Sequence, residues 1–304
     1  MRIAFAGTPE VAVPSLQALL DAGHDVVAVI TRPDAPVGRG RVMTPSPIAE
    51  FAAAHGLHVL KPTRLHDIAA ELRALAPECI PIVAYGGLVP AELLDVPTYG
   101  WINLHFSLLP AWRGAAPVQR AIMAGDDITG ATTFRLEEAL DTGPVFGTLT
   151  RTISADDTAG DVLDALAVDG AQLLVQTVGQ LATLRPVPQS SDDVSYAEKL
   201  SKSDAHVRWA DPALAINRQI RGCTPEPGAW TTIGGERIGL GPVRMRADVT
   251  DLAAGALRFD DVVLVGTGSH GVELGDVKPA SKGWMAAAAW ARGLRERPES
   301  FDVD

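Results

Sequence analysis

Cysteine is almost missing from this chain: there are two in 304 residues, Cys79 and Cys223, far apart and in no C-x-x-C arrangement. A disulfide framework and a cysteine-based zinc site are thereby excluded, and the reducing cytoplasm is the simplest setting. Also missing is any run of 18 or more apolar residues, so the sequence offers no uninterrupted membrane span. Residues 1–6 open directly as a strand, without the charged region and cleavage site of a signal peptide. Glycine is sparse where a dinucleotide fingerprint would need it. The stretch FAGTPE at 5–10 has one glycine where three are required, which disfavours a nicotinamide dehydrogenase. An H-x-x-H pair, His55 and His58, has no nearby cysteine or acidic cluster, and no metal is expected. No internal repeat and no obligate protein partner is evident.

What is present is a globular composition, 47% hydrophobic and 21% charged, on a chain long enough for two domains. The net charge of −11 argues at first sight against nucleic acid. Its distribution is uneven. Residues 1–184 carry 11 Lys+Arg against 20 Asp+Glu, whereas residues 199–246 carry 8 against 4. A local basic zone on an acidic protein, or merely a solvated surface of fluctuating charge, fits these numbers.

Arg2 to Ala6 reads as a strand, Gly7-Thr8-Pro9-Glu10 as the turn into a helix over 11–22, and Asp25 to Ile30 as a second strand. Pro14 falls near the first helical turn, where its missing N–H does little harm. This is the opening of a doubly wound, mostly parallel α/β sheet of Rossmann type, with its ligand edge at the strands' carboxyl ends. Thr31 to Pro47 is a long loop with four prolines, two glycines and three arginines, which suits an exposed, mobile arm. Arg39 and Arg41 within it are of the type that grips phosphate.

Helices near 48–55 and 68–75 and strands near 57–60 and 79–84 continue the alternation. Pro81 is awkward inside a central strand and predicts an irregularity. Strands over 129–135 and 145–153 face each other across an acidic loop, and a long helix runs to about Leu184. Leu184 to Asp193 has linker composition. The expected organisation is a first domain over 1–184, a linker over 185–205 and a second domain over 206–304. In the last, short strand-like runs near 229–233, 237–246, 256–265 and 271–277 make a small β-barrel the economical architecture. A helix over 212–221 precedes them and one over 284–294 closes the chain.

Chemistry concentrates in the run GWINLHFSLLP at 100–110. Trp101 to His105 reads as a short buried strand, and Asn103 and His105, two apart, point to one side of it. An amide can donate a hydrogen bond to a developing oxyanion, and an imidazole can donate one or move a proton. Ser107 to Pro110 then breaks the strand into a rigid turn. Asp141, before Thr142-Gly143-Pro144, is a candidate buried acid that would favour the imidazolium if it faced His105. The residues alone leave plainer alternatives open: a core Asn and His bonded to backbone groups, and a turn Asp capping its own backbone.

Taken together, several motifs resemble the folate-dependent formyltransferase family. They are Phe5-Ala6-Gly7-Thr8-Pro9, Val83-Ala84-Tyr85-Gly86, Ile102-Asn103-Leu104-His105, Ser107-Leu108-Leu109-Pro110, Trp112 to Pro117 and Leu140-Asp141-Thr142-Gly143. Gly38-Arg39-Gly40, Pro45-Ser46-Pro47 and Tyr196-Ala197-Glu198-Lys199-Leu200 narrow the resemblance to the branch that acts on methionyl-tRNA. Phe106, where many formyltransferases have glycine, and Cys79-Ile80-Pro81, in a strand usually aliphatic, are departures.

The resemblance implies formyl transfer from 10-formyltetrahydrofolate to the α-amino group of methionine on initiator tRNA. Neither cysteine stands in the motifs and Ser107 lacks an obvious dedicated base, so direct transfer without a covalent enzyme intermediate is expected. It implies Asn103, His105 and Asp141 as the catalytic group, and Ser107, Leu108, Leu109 and Pro110 as part of the folate site. Arg39 and Arg41 would reach the tRNA, and the C-terminal barrel, similar to an oligonucleotide-binding fold, would bind it. A formyltransferase acting on a sugar amine or glycinamide ribonucleotide would share the catalytic trio. A noncatalytic RNA-binding protein is the alternative of another class.

Overall fold

The computed structural model describes residues 1–38 and 40–303. Arg39, one of the two arginines expected to meet tRNA, lies outside the described residues. The chain forms two compact units. One comprises Met1–Gly114, Ile128–Arg151 and Leu163–Ala197, and the other Ala115–Asp127, Thr152–Val162 and the chain from Glu198 on.

The first unit is built on a seven-stranded sheet. Its order is Val145–Thr152, Ile128–Arg135, Trp101–His105, Ile80–Val83, Arg2–Gly7, Asp25–Ile30 and Val59–Leu60. The five strands from Trp101–His105 to Val59–Leu60 pair in parallel, and Trp101–His105 meets Ile128–Arg135 antiparallel. Parallel strands are covered on both faces, which is why they read as nearly unbroken apolar runs. Ile3, Ala4, Phe5, Ala6, Ile80 and Trp101 are fully buried. Burying a large aliphatic or aromatic side chain contributes roughly 1.5–3 kcal/mol.

Pro81 occupies a central strand and leaves the expected mark. The pairing with Arg2–Gly7 lapses between the Ile3–Cys79 bridge and the Ala6–Ile82 pair, and resumes in the same register. A proline nitrogen has no proton for the ladder, so the lapse is local and the strand stays in line.

Local chemistry sets the elements around the sheet. Ser46 caps the Pro47–Ala54 helix by accepting the Ala49 N–H at 3.1 Å, and Pro47 sits where a helix tolerates it. The long loop carries an exposed two-stranded hairpin, Ala35–Val37 with Val42–Thr44.

The Ala159–Gln180 helix is long and apolar enough to cross a membrane by length and composition. Its apolar residues Val162, Leu166, Ala167, Ala171, Leu174 and Val178 recur at helical spacing and are buried, however, while Asp161, Asp164, Asp169 and Gln172 are exposed. That is the pattern of a core helix. It reaches the sheet at Gly170, where a Cβ would stand 3.1 Å from the Leu104 side chain.

The second unit holds two four-stranded antiparallel sheets and the Ala213–Gly222 helix. Runs that read as single strands over 237–246 and 271–277 each divide between the sheets. The breaks fall at Gly241-Pro242 and at Gly275, which face each other. Glycine at a barrel corner lets two backbones approach, and a Cβ on Gly275 would stand 2.4 Å from the Pro242 carbonyl oxygen. The core around Trp209 and Phe301, stacked at 5.2 Å, fills the interior. Gly275→Ala is expected to destabilise this unit by about 1–3 kcal/mol, because a backbone oxygen cannot swing away. A lowered unfolding midpoint on heating checks it, and an unchanged one would contradict the corner geometry.

Candidate active site

The Trp101–His105 strand carries both polar candidates at its carboxyl end, between Ile80–Val83 and Ile128–Arg135. Asn103 pairs in register with Ile82 and Phe134, and His105 with Thr132. Asn103 is half-buried, and its amide has no hydrogen-bond partner among the described residues. Both of its N–H groups therefore remain available.

The turn that follows is held by Thr132, a residue the sequence reading did not single out. Its hydroxyl donates to the Ser107 carbonyl at 2.7 Å and accepts the Leu109 N–H at 3.2 Å. The Leu109–Pro110 peptide is cis. Ser107 is fully buried and its hydroxyl donates to the Ala111 carbonyl at 2.6 Å, so its hydroxyl is spent inside the turn. Leu108, Leu109 and Pro110 are half-buried and present an apolar surface beside the strand end. Phe106, the departure from the family pattern, is buried.

The structure brings His105 and Asp141 together. Both are buried, and Nδ1 of His105 stands 3.9 Å from Oδ2 of Asp141. That is beyond a hydrogen bond but close enough for strong charge coupling. The other ring nitrogen, Nε2, is 2.9 Å from the Trp112 carbonyl oxygen. A carbonyl only accepts, so the proton of the neutral ring sits on Nε2 and the lone pair on Nδ1. Asp141 Oδ2 accepts the Gly114 N–H at 2.8 Å, which orients the carboxylate.

Backbone strain gathers here. Asp141 has φ of 51°, Trp112 of 60° and Ala84, just past the Ile80–Val83 strand, of 47°. Asp tolerates the left-handed region better than most residues, whereas for a bulky side chain it is a real outlier. Such residues persist when their surroundings over-determine them.

Burial pushes the His105 pKa below its ordinary 6.5, while the Asp141 carboxylate and the Trp112 carbonyl pull it upward without prevailing. At neutral pH the ring is an uncharged base. A histidine held neutral in the fold is protonated more readily when unfolded. Its contribution to stability is therefore present above pH 6.5 and is lost as pH falls from there through the folded value.

The cations expected to meet tRNA are unequally placed. Arg41 is exposed on the hairpin, and Lys199, Lys202 and Arg244 are exposed in the basic zone. Arg208 pairs with Asp211, and Arg246 with Asp248 and Glu273. Arg221 is buried, donating to Asn217 and the Asp157 carbonyl. His55 bonds the Phe51 carbonyl and His58 pairs with Glu71, so the two histidines serve separate local contacts.

The formyl transferase family model matches residues 1–178, and the formyl transferase C-terminal domain matches residues 199–295. The chain is 60% identical to the methionyl-tRNA formyltransferase of Paenarthrobacter aurescens over 297 residues, 97% of each chain. It is 58% identical to that of Thermobifida fusca over 300 residues, again 97% of each. Among solved structures, a Helicobacter canadensis N-formyltransferase in complex with folinic acid and dTDP-3-aminofucose superposes with a TM-score of 0.70. The match covers 92% of this chain and 99% of that one, at 18% identity, which speaks to fold alone.

In an NMR titration the His105 ring is expected to titrate below 6.5. Asp141→Asn should lower it further, because the carboxylate is one of the groups holding the value up. A rise in the variant would contradict the coupling.

Proposed function

The chain belongs to the formyl transferase family, and from that premise we propose that it moves the formyl group of 10-formyltetrahydrofolate onto the α-amino group of methionyl initiator tRNA. The observation that carries the chemistry is the facing of His105 and Asp141 at the end of the strand that also bears Asn103. Near-full-length similarity to methionyl-tRNA formyltransferases supports the choice of acceptor. Translation initiation places the reaction in the cytoplasm.

In this reading Leu108, Leu109 and Pro110 give the folate its apolar contact, and Ser107 shapes the turn from within. An α-amino group has a pKa of about 7.7–8.0, so near neutrality an appreciable fraction is already an uncharged nucleophile. As its nitrogen bonds to the formyl carbon, Asn103 donates a hydrogen bond to the oxygen that gains negative charge. Nδ1 of His105 takes the proton that the attacking nitrogen must lose. Asp141 then stabilises the imidazolium across the 3.9 Å gap. His105 returns that proton to the folate nitrogen as its bond to carbon breaks, so the transfer balances and the enzyme ends as it began. The neutral ring has no proton on Nδ1 to give the oxyanion, so Asn103 is the first donor and His105 joins only once charged. No covalent enzyme intermediate is needed.

Arg41, and Arg39 beside it in sequence, reach the acceptor end of the tRNA, with Lys199, Lys202 and Arg244 on backbone phosphates. The experiment that tests the whole reading is incubation with 10-formyltetrahydrofolate and charged initiator or elongator methionine tRNA. Formylmethionine on the initiator is expected, and formylation of a free amine in preference to it would overturn the acceptor assignment. Asn103→Ala is expected to slow turnover roughly 10²–10³-fold, equivalent to about 2.7–4 kcal/mol of barrier, while folate binding is retained. Equal loss of turnover and of folate affinity would make Asn103 a pocket wall instead. Affinity for tRNA should fall as salt rises, and a flat response between low and moderate salt would argue against phosphate contacts.

A further inference from the structure

Gln189 lies in a stretch of linker composition and belongs to none of the recognised motifs, yet it is bonded directly to the Asp141 turn. Its carboxamide oxygen accepts from Nε and Nη2 of Arg113 at 3.2 and 2.7 Å. Its Nε2 donates to the carbonyls of Asp141 and Gly143, each at 2.8 Å. A guanidinium only donates and a carbonyl only accepts, so these neighbours fix which way the amide faces. Every one of its four contacts would be lost or reversed by a flip.

The contacts close a circuit. Arg113 is followed by Gly114, whose N–H holds the Asp141 carboxylate. The Arg113 guanidinium grips Gln189, and Gln189 grips the Asp141 backbone. Asp141 is thus held at its side chain and at its main chain by two groups from neighbouring parts of the fold, which is what a residue at φ of 51° requires. Gln189 is itself anchored on both sides. Val187 exchanges both backbone hydrogen bonds with Val145, at 2.7 and 2.8 Å. Further along, Tyr196–Ala197 pairs with Arg113–Gly114, and the Ser195 hydroxyl accepts the Trp112 N–H at 2.9 Å.

We propose that Gln189 is a positioning residue for formyl transfer, setting the Asp141 turn so that the carboxylate faces His105. This rests on the formyl-transfer reading above. A purely structural role would consist of satisfying Arg113, which is nine-tenths buried and has no carboxylate partner among the described residues. Gln189→Glu separates the two. Glutamate has the same shape and gives Arg113 a better acceptor, but it has no hydrogens for the Asp141 and Gly143 carbonyls and opposes them with an oxygen.

The experiment is steady-state transfer from 10-formyltetrahydrofolate to methionyl initiator tRNA by the full chain, the Gln189→Glu and Asp141→Asn variants and their combination, with melting temperatures. Gln189→Glu should remain folded well above the assay temperature, as its melting shows, and lose roughly 10- to 100-fold in kcat, with KM for both substrates within about threefold. Combined with Asp141→Asn, it should cost less than about threefold more than Asp141→Asn alone, because both act on one carboxylate. A kcat within about twofold of the parent, or losses that multiply in the combined variant, would overturn the proposal. A parent that does not formylate the tRNA would instead sink the formyl-transfer reading on which it stands.

Discussion

A single hydrogen bond, from Nε2 of His105 to the carbonyl of Trp112, decides what the rest of the site can do. It commits the proton of a neutral ring to one nitrogen and leaves the other bare. That bare nitrogen is the one that looks toward Asp141. Reverse the bond and the ring would turn a donor toward Asp141 where it now turns an acceptor. The loop carrying Trp112 is therefore more than a connection, since its carbonyl direction selects the tautomer of the neutral ring.

Holding that carbonyl in place requires strain, and the fold concentrates it at one edge. Trp112 and Asp141 take left-handed backbone conformations at the carboxyl end of the sheet, and Ala84 does the same one strand over. Each costs on the order of 1–3 kcal/mol. Hydrogen bonds from distant parts of the chain offset that cost. The Ser195 hydroxyl accepts the Trp112 N–H, the Asp141 carboxylate accepts the Gly114 N–H, and Thr8 donates to the Tyr85 carbonyl at 2.8 Å. The apolar sheet supplies the rigid frame and carries Asn103 and His105 on its Trp101–His105 strand, and the loops between 107 and 114 and between 136 and 144 bring the Trp112 carbonyl and Asp141 beside them.

The alternation of apolar strands and helices made the first unit legible from sequence, because parallel strands buried on both faces leave long hydrophobic runs. Asn103 and His105 were legible for a related reason: a period of two puts them on one face. The residues alone left Asp141 open between a buried acid and a capped turn, and only the family resemblance joined it to His105, since nothing in the spacing reveals that a loop 36 residues beyond His105 in the chain folds back beside it. The corners of the second unit were hidden because Gly241 and Gly275 each sit singly inside a strand-like run, where a lone glycine does not tell a bend from a change of sheet. Gln189 was hidden most deeply, for its neighbours Pro188 and Ser190 read as linker while its own bonds run to residues 46–76 positions away. The basic zone was readable as charge, but charge does not say which arginines are already paired, as Arg208 and Arg246 are.

The protonation state of one imidazole is open to direct observation. Nitrogen-15 NMR of the full chain, labelled in its histidines and read near pH 7, resolves the two ring nitrogens of His105. A neutral ring with the proton on Nε2 and none on Nδ1 is expected. A ring protonated on Nδ1, whether as the other neutral tautomer or as the imidazolium, would contradict it.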